Sequence, residues 1–461
     1  MADMPRFDRK MSDAEGLMWR LEKDPHLSSA FAAVTILDKP PDFERLLRRM
    51  DRAVQVIERL GQRVQPVPVN LSAPMWVDDP NFDLRYHVRH IALPKPGNIR
   101  QLLDVASLIA SDAFDRTRPL WQFVVVDGIR GGKSALIEKL HHTIADGEGS
   151  VKLSLQFLDF ERDAPDPPPF EPAQRNEETA PPVEPNPDVL RDLFTGSMKM
   201  PLGFVRQILD LLSDPTGIPD AGSAAVDTLR AVMSQLNDTE QARSPLWTER
   251  SLRRRIEVLR APFDETRAAA KRLGGTLNTA FLTAAAEAAG RYHQKMGTPV
   301  EELRASMAIS TRNQDSGSNA FSLARMLVPT GDMPIAERFT WIQAAAGAAR
   351  ESNATASLET LAAVAATLPT SFITRLARQQ AQTVDFATSN VRGAPVPLYL
   401  AGAEILQNYA VGPLAGVAYN LTLLSYNHSL DMGVNIDTAA VTEPVLLREC
   451  HERAFADLLA A

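Results

Sequence analysis

Two periodicities alternate along the chain. Residues 31–37 (Phe31 to Leu37) run apolar almost without interruption, as a buried strand does. Residues 43–60 carry Leu46, Leu47, Met50, Val54, Ile57 and Leu60 at helical spacing, up to Gly61. Ahead of both, Ser12-Asp13-Ala14-Glu15 predicts a helix start with Ser12 as N-cap and Glu15 at the capping-box position. The stretch from Met75 to Leu84, dense in Asp and Pro, reads as a loop. Tyr86 to Leu93 reads as a strand, with one or both of His87 and His90 at solvated positions. Residues 101–114 predict an amphipathic helix. Strand-type runs at 121–128 and 134–140 are separated by Ile129-Arg130-Gly131-Gly132-Lys133, which predicts a hairpin. Helical spacing returns at 151–158.

The pattern breaks at 163–187. Asp166-Pro167-Pro168-Pro169 and Pro181-Pro182-Val183-Glu184-Pro185 lack the N–H donors that a helix or sheet interior requires, so an exposed linker is expected. Helical stretches follow at 189–212 and 221–236. A second set of elements begins near Ser251: a helix from Phe263 closed by Gly274-Gly275, a helix over 276–293, strands at 304–312 and from 319, an Ala-rich helical region with a break at Pro369, and strands after Thr388. The predicted partition is therefore 1–162, a linker with crossover helices over 163–250, and 251–461. Residues 405–427 carry no charged side chain, yet Gly412-Pro413, Asn408 and Asn420 make two buried strands around a turn the better reading than a helix in lipid.

Length supports this partition, since 461 residues exceed one ordinary core and suggest two domains of about 200 residues each. The formal charge of −8 argues against nucleic acid as a partner. A single cysteine, Cys450, excludes a disulfide framework and a Cys-based zinc site and fits a reducing compartment. The first eight residues lack the apolar core of a secretory signal, so the expected location is cytoplasmic.

Candidate chemistry concentrates in His141-His142-Thr143-Ile144-Ala145-Asp146-Gly147, between the second hairpin strand and a helix. An imidazole titrates near neutrality, so it can take a proton from a hydroxyl and return it within one cycle. Asp146 is placed to turn the chain or to pin the loop, and Gly147 allows a backbone shape closed to other residues. A simple polar turn is the alternative; the second histidine, the glycine and the preceding strand favour chemistry. Arg253-Arg254-Arg255 is either a solvated charge run or a contact for an anionic co-substrate.

Further blocks accompany this motif: Trp76 to Leu84 with His87-Val88, Leu93-Pro94 and Pro96-Gly97; Pro119-Leu120-Trp121; Ser389-Asn390-Val391; Pro397-Leu398-Tyr399 to Gly402; and Ser425-Tyr426. In this order they resemble the bacterial wax ester synthase/acyl-CoA:diacylglycerol acyltransferase family over nearly the whole chain. The resemblance implies an α/β (α+β) fold of two chloramphenicol-acetyltransferase-like lobes, each a mixed sheet flanked by helices, with a tunnel between them. It implies an O-acyltransferase that moves a long-chain acyl group from acyl-CoA to diacylglycerol or a fatty alcohol.

In that scheme His142 is the general base, and His141 and Gly147 support it; residue types alone suggest that Asp146 holds the loop against Arg312. Trp121, Asn278, Ser310, Arg312 and Asn390 contact substrate, Asn278 as a candidate oxyanion donor. The scheme requires no metal and no permanently bound cofactor, acyl-CoA being a co-substrate. The partners it implies are acyl-CoA, a lipid alcohol and peripheral contact with a membrane or lipid inclusion.

The chain departs from the family where Asn278-Thr279 replaces Asn-Asp, where Ala308-Ile309-Ser310-Thr311-Arg312 lacks the leading proline, and where Asn390-Val391-Arg392-Gly393-Ala394 replaces Asn-Val-Pro-Gly-Pro. Two rivals therefore remain: a condensation-type acyltransferase with a carrier-protein donor, and a non-catalytic lipid-binding relative.

Overall fold

The computed structural model describes residues 8–66, 73–168, 170, 241–310, 321–353, 362 and 370–461. Helix α1 (Asp13–Leu21) starts at the expected box: Ser12 Oγ accepts from Glu15 N at 3.2 Å, and Glu15 Oε2 accepts from Ser12 N at 2.9 Å. Strand β1 (Ala30–Leu37) and helix α2 (Phe43–Val56) follow. The helix gives way to a 3-10 turn at Glu58–Gly61 instead of running on to the glycine.

The Asp- and Pro-rich stretch is not all loop. Strands β2 (Gln62–Gln65) and β3 (Met75–Asp78) pair antiparallel, because burying Trp76 outweighs the poor strand preference of its neighbours. A single turn, α3 (Leu84–His87), then leads into β4 (Val88–Ala92) and α4 (Ile99–Ser111). Strands β5 (Trp121–Ile129) and β6 (Lys133–His141) form the expected antiparallel hairpin, followed by α5 (Gly147–Ser154) and β7 (Leu158–Asp159).

The second half supplies β8 (Arg254–Pro262), α6 (Phe263–Arg272), α7 (Leu277–Lys295), β9 (Glu302–Ser310) and β10 (Phe321–Pro329). It continues with α8 (Ile335–Asn353), α9 (Thr370–Ala381), β11 (Phe386–Arg392), β12 (Tyr399–Leu400), β13 (Ala403–Val411), β14 (Tyr419–Tyr426), β15 (Ser429–Asp437) and α10 (Pro444–Ala460).

Two mixed sheets flanked by helices result. The first has the order β4-β5-β6-β1-β13-β12-β7 and the second β10-β9-β11-β14-β15-β8. The first sheet thus recruits β12 and β13 from the C-terminal part of the chain, so sheet membership does not follow chain order. Residues 405–427 are two strands around a turn, as expected, but β13 belongs to the first sheet and β14 to the second.

The sheets meet closely there. A Cβ at Gly433 would lie 2.2 Å from Ala410 O, an approach only glycine allows. Buried Asp431 accepts from Asn408 N at 2.7 Å and from Arg260 Nε at 2.8 Å, and Asn435 Nδ2 donates to Gly412 O at 2.9 Å. Helix α4 adds a second tie, Arg100 Nη1 donating to Ile256 O and Glu257 Oε1, both at 2.9 Å.

The start of the predicted linker is fastened down. Arg45, Arg48 and Arg49 on α2 pair with Asp166, and Arg45 and Arg49 also pair with Asp159. The predicted helical stretches at 189–212 and 221–236 lie outside the described residues. No helix among those described is long and apolar enough to cross a membrane.

Candidate active site

Strand β6 delivers the motif. His141 is its last residue, in register with Ala30 of β1, and its N–H donates to Leu120 O at 3.0 Å. The next N–H, of His142, donates to Ser29 O at 3.2 Å, and Ile144 N closes a tight turn on His141 O at 2.8 Å. Asp146 is the N-cap of α5: its Oδ1 accepts from Gly149 N at 2.7 Å. The loop is therefore pinned at one end by backbone hydrogen bonds and at the other by the Asp146 carboxylate.

The His142 ring lies against Phe31, with ring centroids 4.7 Å apart. Burial pushes its pKa down to about 4, with the Asp146 charge opposing the fall. The ring is neutral at neutral pH.

His141 is fully buried and its tautomer follows from its neighbours. Thr143 N–H, which can only donate, points at Nδ1 at 3.2 Å, and Thr143 Oγ1 lies 2.8 Å from the same atom. Nδ1 is thus an acceptor and the ring proton sits on Nε2, which donates to Glu22 Oε2 at 3.0 Å. Glu22 also accepts from Ser28 Oγ at 2.7 Å and from Ser29 N at 2.9 Å. Burial alone would raise its pKa; these hydrogen bonds bring it down to about 2. One fixed carboxylate therefore grips the His141 ring and the Ser29 peptide whose neighbouring carbonyl receives His142. Nothing in the sequence marks Glu22, an ordinary acidic residue at a helix end.

Two candidates of the second lobe come together. Asn278, in the first turn of α7, accepts on Oδ1 from Asn390 Nδ2 of β11 at 3.4 Å, and its own Nδ2 lies 3.1 Å from Met307 Sδ. Helix α5, opened by the motif, packs near β11. Thr279 has a capping role: Thr276 Oγ1, the N-cap, accepts from Thr279 N at 3.2 Å and lies 3.0 Å from Thr279 Oγ1. Threonine thus closes the helix start at the position where the family has its acidic residue.

Other candidates fall elsewhere. Trp121 is buried in the first-lobe core, its Nε1 donating to Leu60 O at 2.8 Å and its ring stacked on His87 at 4.5 Å, a packing position rather than a substrate surface. Ser310 ends β9, and Arg312 lies outside the described residues. His90 is solvated and pairs with Asp127 at 2.7 Å, whereas His87 is fully buried, because α3 turns it in between Phe82 and Trp121. Arg254 and Arg255 are tied to Asp437 and Glu257, so these two belong to the fold. Among the described residues, no group of three or more His, Cys, Asp or Glu could hold a metal ion.

The wax ester synthase/diacylglycerol acyltransferase catalytic domain matches residues 11–281, and the WS/DGAT C-terminal domain matches residues 317–459. The chain belongs to the wax ester synthase/diacylglycerol acyltransferase family. It is an acyltransferase that uses a hydroxyl acceptor. A protein of Mycobacterium tuberculosis H37Rv with the provisional name diacylglycerol O-acyltransferase is 31% identical over 99% of this chain and 93% of its own length. A second from that strain, tgs1, likewise provisionally named, is 27% identical over 96% of this chain and 94% of its own.

Among solved structures, the wax ester synthase/diacylglycerol acyltransferase of Marinobacter aquaeolei VT8 superposes with a TM-score of 0.67 at 22% identity, covering 97% of this chain and 98% of that one. The first condensation domain of the calcium-dependent antibiotic synthetase shares the fold at a TM-score of 0.60 and 14% identity, over 98% and 95% of the two chains.

Proposed function

We propose that the protein transfers a long-chain acyl group from acyl-CoA to a lipid alcohol, diacylglycerol or a fatty alcohol, with His142 as general base. The observation that carries this reading is the imidazole itself: neutral, packed against Phe31, and fixed in place through Ser29. His142 takes the acceptor's hydroxyl proton as the alkoxide oxygen bonds to the thioester carbonyl carbon. The tetrahedral intermediate then breaks its C–S bond, and His142 returns the proton to the departing CoA sulfur. No covalent acyl-enzyme is needed.

Asn278 is the candidate donor for the oxyanion, since among the described residues its amide nitrogen donates to the weak sulfur acceptor of Met307. Asp146 and the Glu22–His141 pair hold the loop, and the Asp146 charge favours the imidazolium that forms midway. Acceptor and product both partition into lipid, so the reaction runs at a membrane or lipid-inclusion surface. Supplying palmitoyl-CoA with hexadecanol and with a diacylglycerol in turn, and quantifying each ester, tests the reading. Ester from at least one acceptor is expected; ester from neither removes this choice of donor and acceptors.

A further inference from the structure

A cleft of about 780 Å³ opens to solvent between the end of α1 and helix α9. One wall is Lys23 and Asp24; the other is α9, with Thr370, Ser371, Thr374, Arg375 and Arg378. Beneath it Leu17 and Leu21 of α1 pack on Ile373. Arg378 is spent on Asp24 in a two-point ion pair. Among the described residues Lys23 and Arg375 have no carboxylate partner, so the cleft presents two cations beside the Ser371 hydroxyl; Thr374 Oγ1 is already donating to Thr370 O at 2.8 Å. That combination suits phosphate oxygens.

The cleft adjoins the segment that holds the motif. Lys23 follows Glu22, whose carboxylate grips His141, and Asp24 ties the same segment to the second lobe through Arg378. An acyl-CoA carries its thioester and its phosphates at opposite ends of an extended arm, so the two ends require separate sets of residues. Arg254 and Arg255 are already paired within the fold. We propose that the cleft binds phosphate groups of the CoA donor, with Arg375 and Lys23 as the contacts. This rests on the acyl-CoA reading above.

The test compares the full-length protein with Arg375→Ala, Lys23→Ala and the double variant. Two donors are used with one acceptor: palmitoyl-CoA, and the palmitoyl thioester of N-acetylcysteamine, which has no phosphate. Both side chains are exposed, so the variants should fold. In the double variant KM for palmitoyl-CoA should rise at least about tenfold while kcat holds and KM for the phosphate-free donor stays put.

An equal rise in KM with both donors, or none with palmitoyl-CoA, overturns the proposal. So does a double variant that keeps its KM for palmitoyl-CoA but no longer sediments with phosphatidylglycerol vesicles, which would make the cleft a reader of lipid headgroups. A wild-type protein that turns over the short thioester but not palmitoyl-CoA would overturn the acyl-CoA reading itself.

Discussion

The acid limb of the rate profile should report the buried His142. Its pKa lies near 4 where an ordinary imidazole has 6.5, so protonating it in the protein costs about 3 kcal/mol more than in water. At pH 5 about nine in ten His142 rings remain neutral, against about one in thirty for an unburied imidazole. Ester formation from palmitoyl-CoA and a fixed acceptor, followed by chromatography between pH 4 and 8, gives kcat/KM for the free enzyme. The expected acid limb has its midpoint well below 6, with most of the neutral-pH rate surviving at pH 5.

Stability moves in the same direction and has to be controlled for. The unfolded chain takes up a proton below 6.5 that folded His142 refuses until about 4, so this group's contribution is complete above 6.5 and is lost as pH falls to 4. Unfolding is therefore measured at each pH. A midpoint at 6.5 or above, in protein that is still folded, would refute the assignment of His142 as a base working from a buried, neutral state.

Three other outcomes follow from the same contacts. Asparagine can replace Asp146 as an N-cap, so Asp146→Asn should leave the denaturant midpoint almost unchanged while kcat drops about tenfold from loss of the charge; Asp146→Ala should also cost about 1 kcal/mol of stability. Full activity in Asp146→Asn would show that the charge does nothing.

Glu22→Gln should lower kcat with little change in KM, because the carboxylate positions the loop and touches no substrate; a change in KM alone would contradict that. The wild type should also lose about 3 kcal/mol from Glu22 as pH falls from 4.5 to 2, a component the variant lacks in acid titrations of unfolding. Gly433→Ala should destabilise by about 1–3 kcal/mol or more, read as a lower denaturant midpoint, because its Cβ would press on Ala410 O between the sheets.

What could be read in the sequence was set by local physics. The capping box at Ser12 and the β5–β6 hairpin each depend on residues a few positions apart and appear as expected; a helix does follow the His142 turn, but over Gly147–Ser154 and not 151–158, because Asp146 caps it ahead of the apolar run. Trp76 misleads because its strand preference is hidden among Asp and Pro and is realised only by burial. His87 and His90 differ because α3 ends between them, a distinction that depends on what packs above. The Glu22–His141 contact spans 119 positions, and the crossing of β13 into the first sheet spans still more. Patterns of spacing carry no signal for partners so far apart. The motif was legible; the carboxylate that holds it was not.

The central claim is that His142 drives acyl transfer to a hydroxyl. Thiol release from palmitoyl-CoA, with and without a lipid alcohol, in the wild type and in His142→Ala of matched stability, tests it most directly. The account predicts release that requires the alcohol and falls by about 10²–10⁴ in the variant. Release within a few-fold of wild type in folded His142→Ala would contradict it.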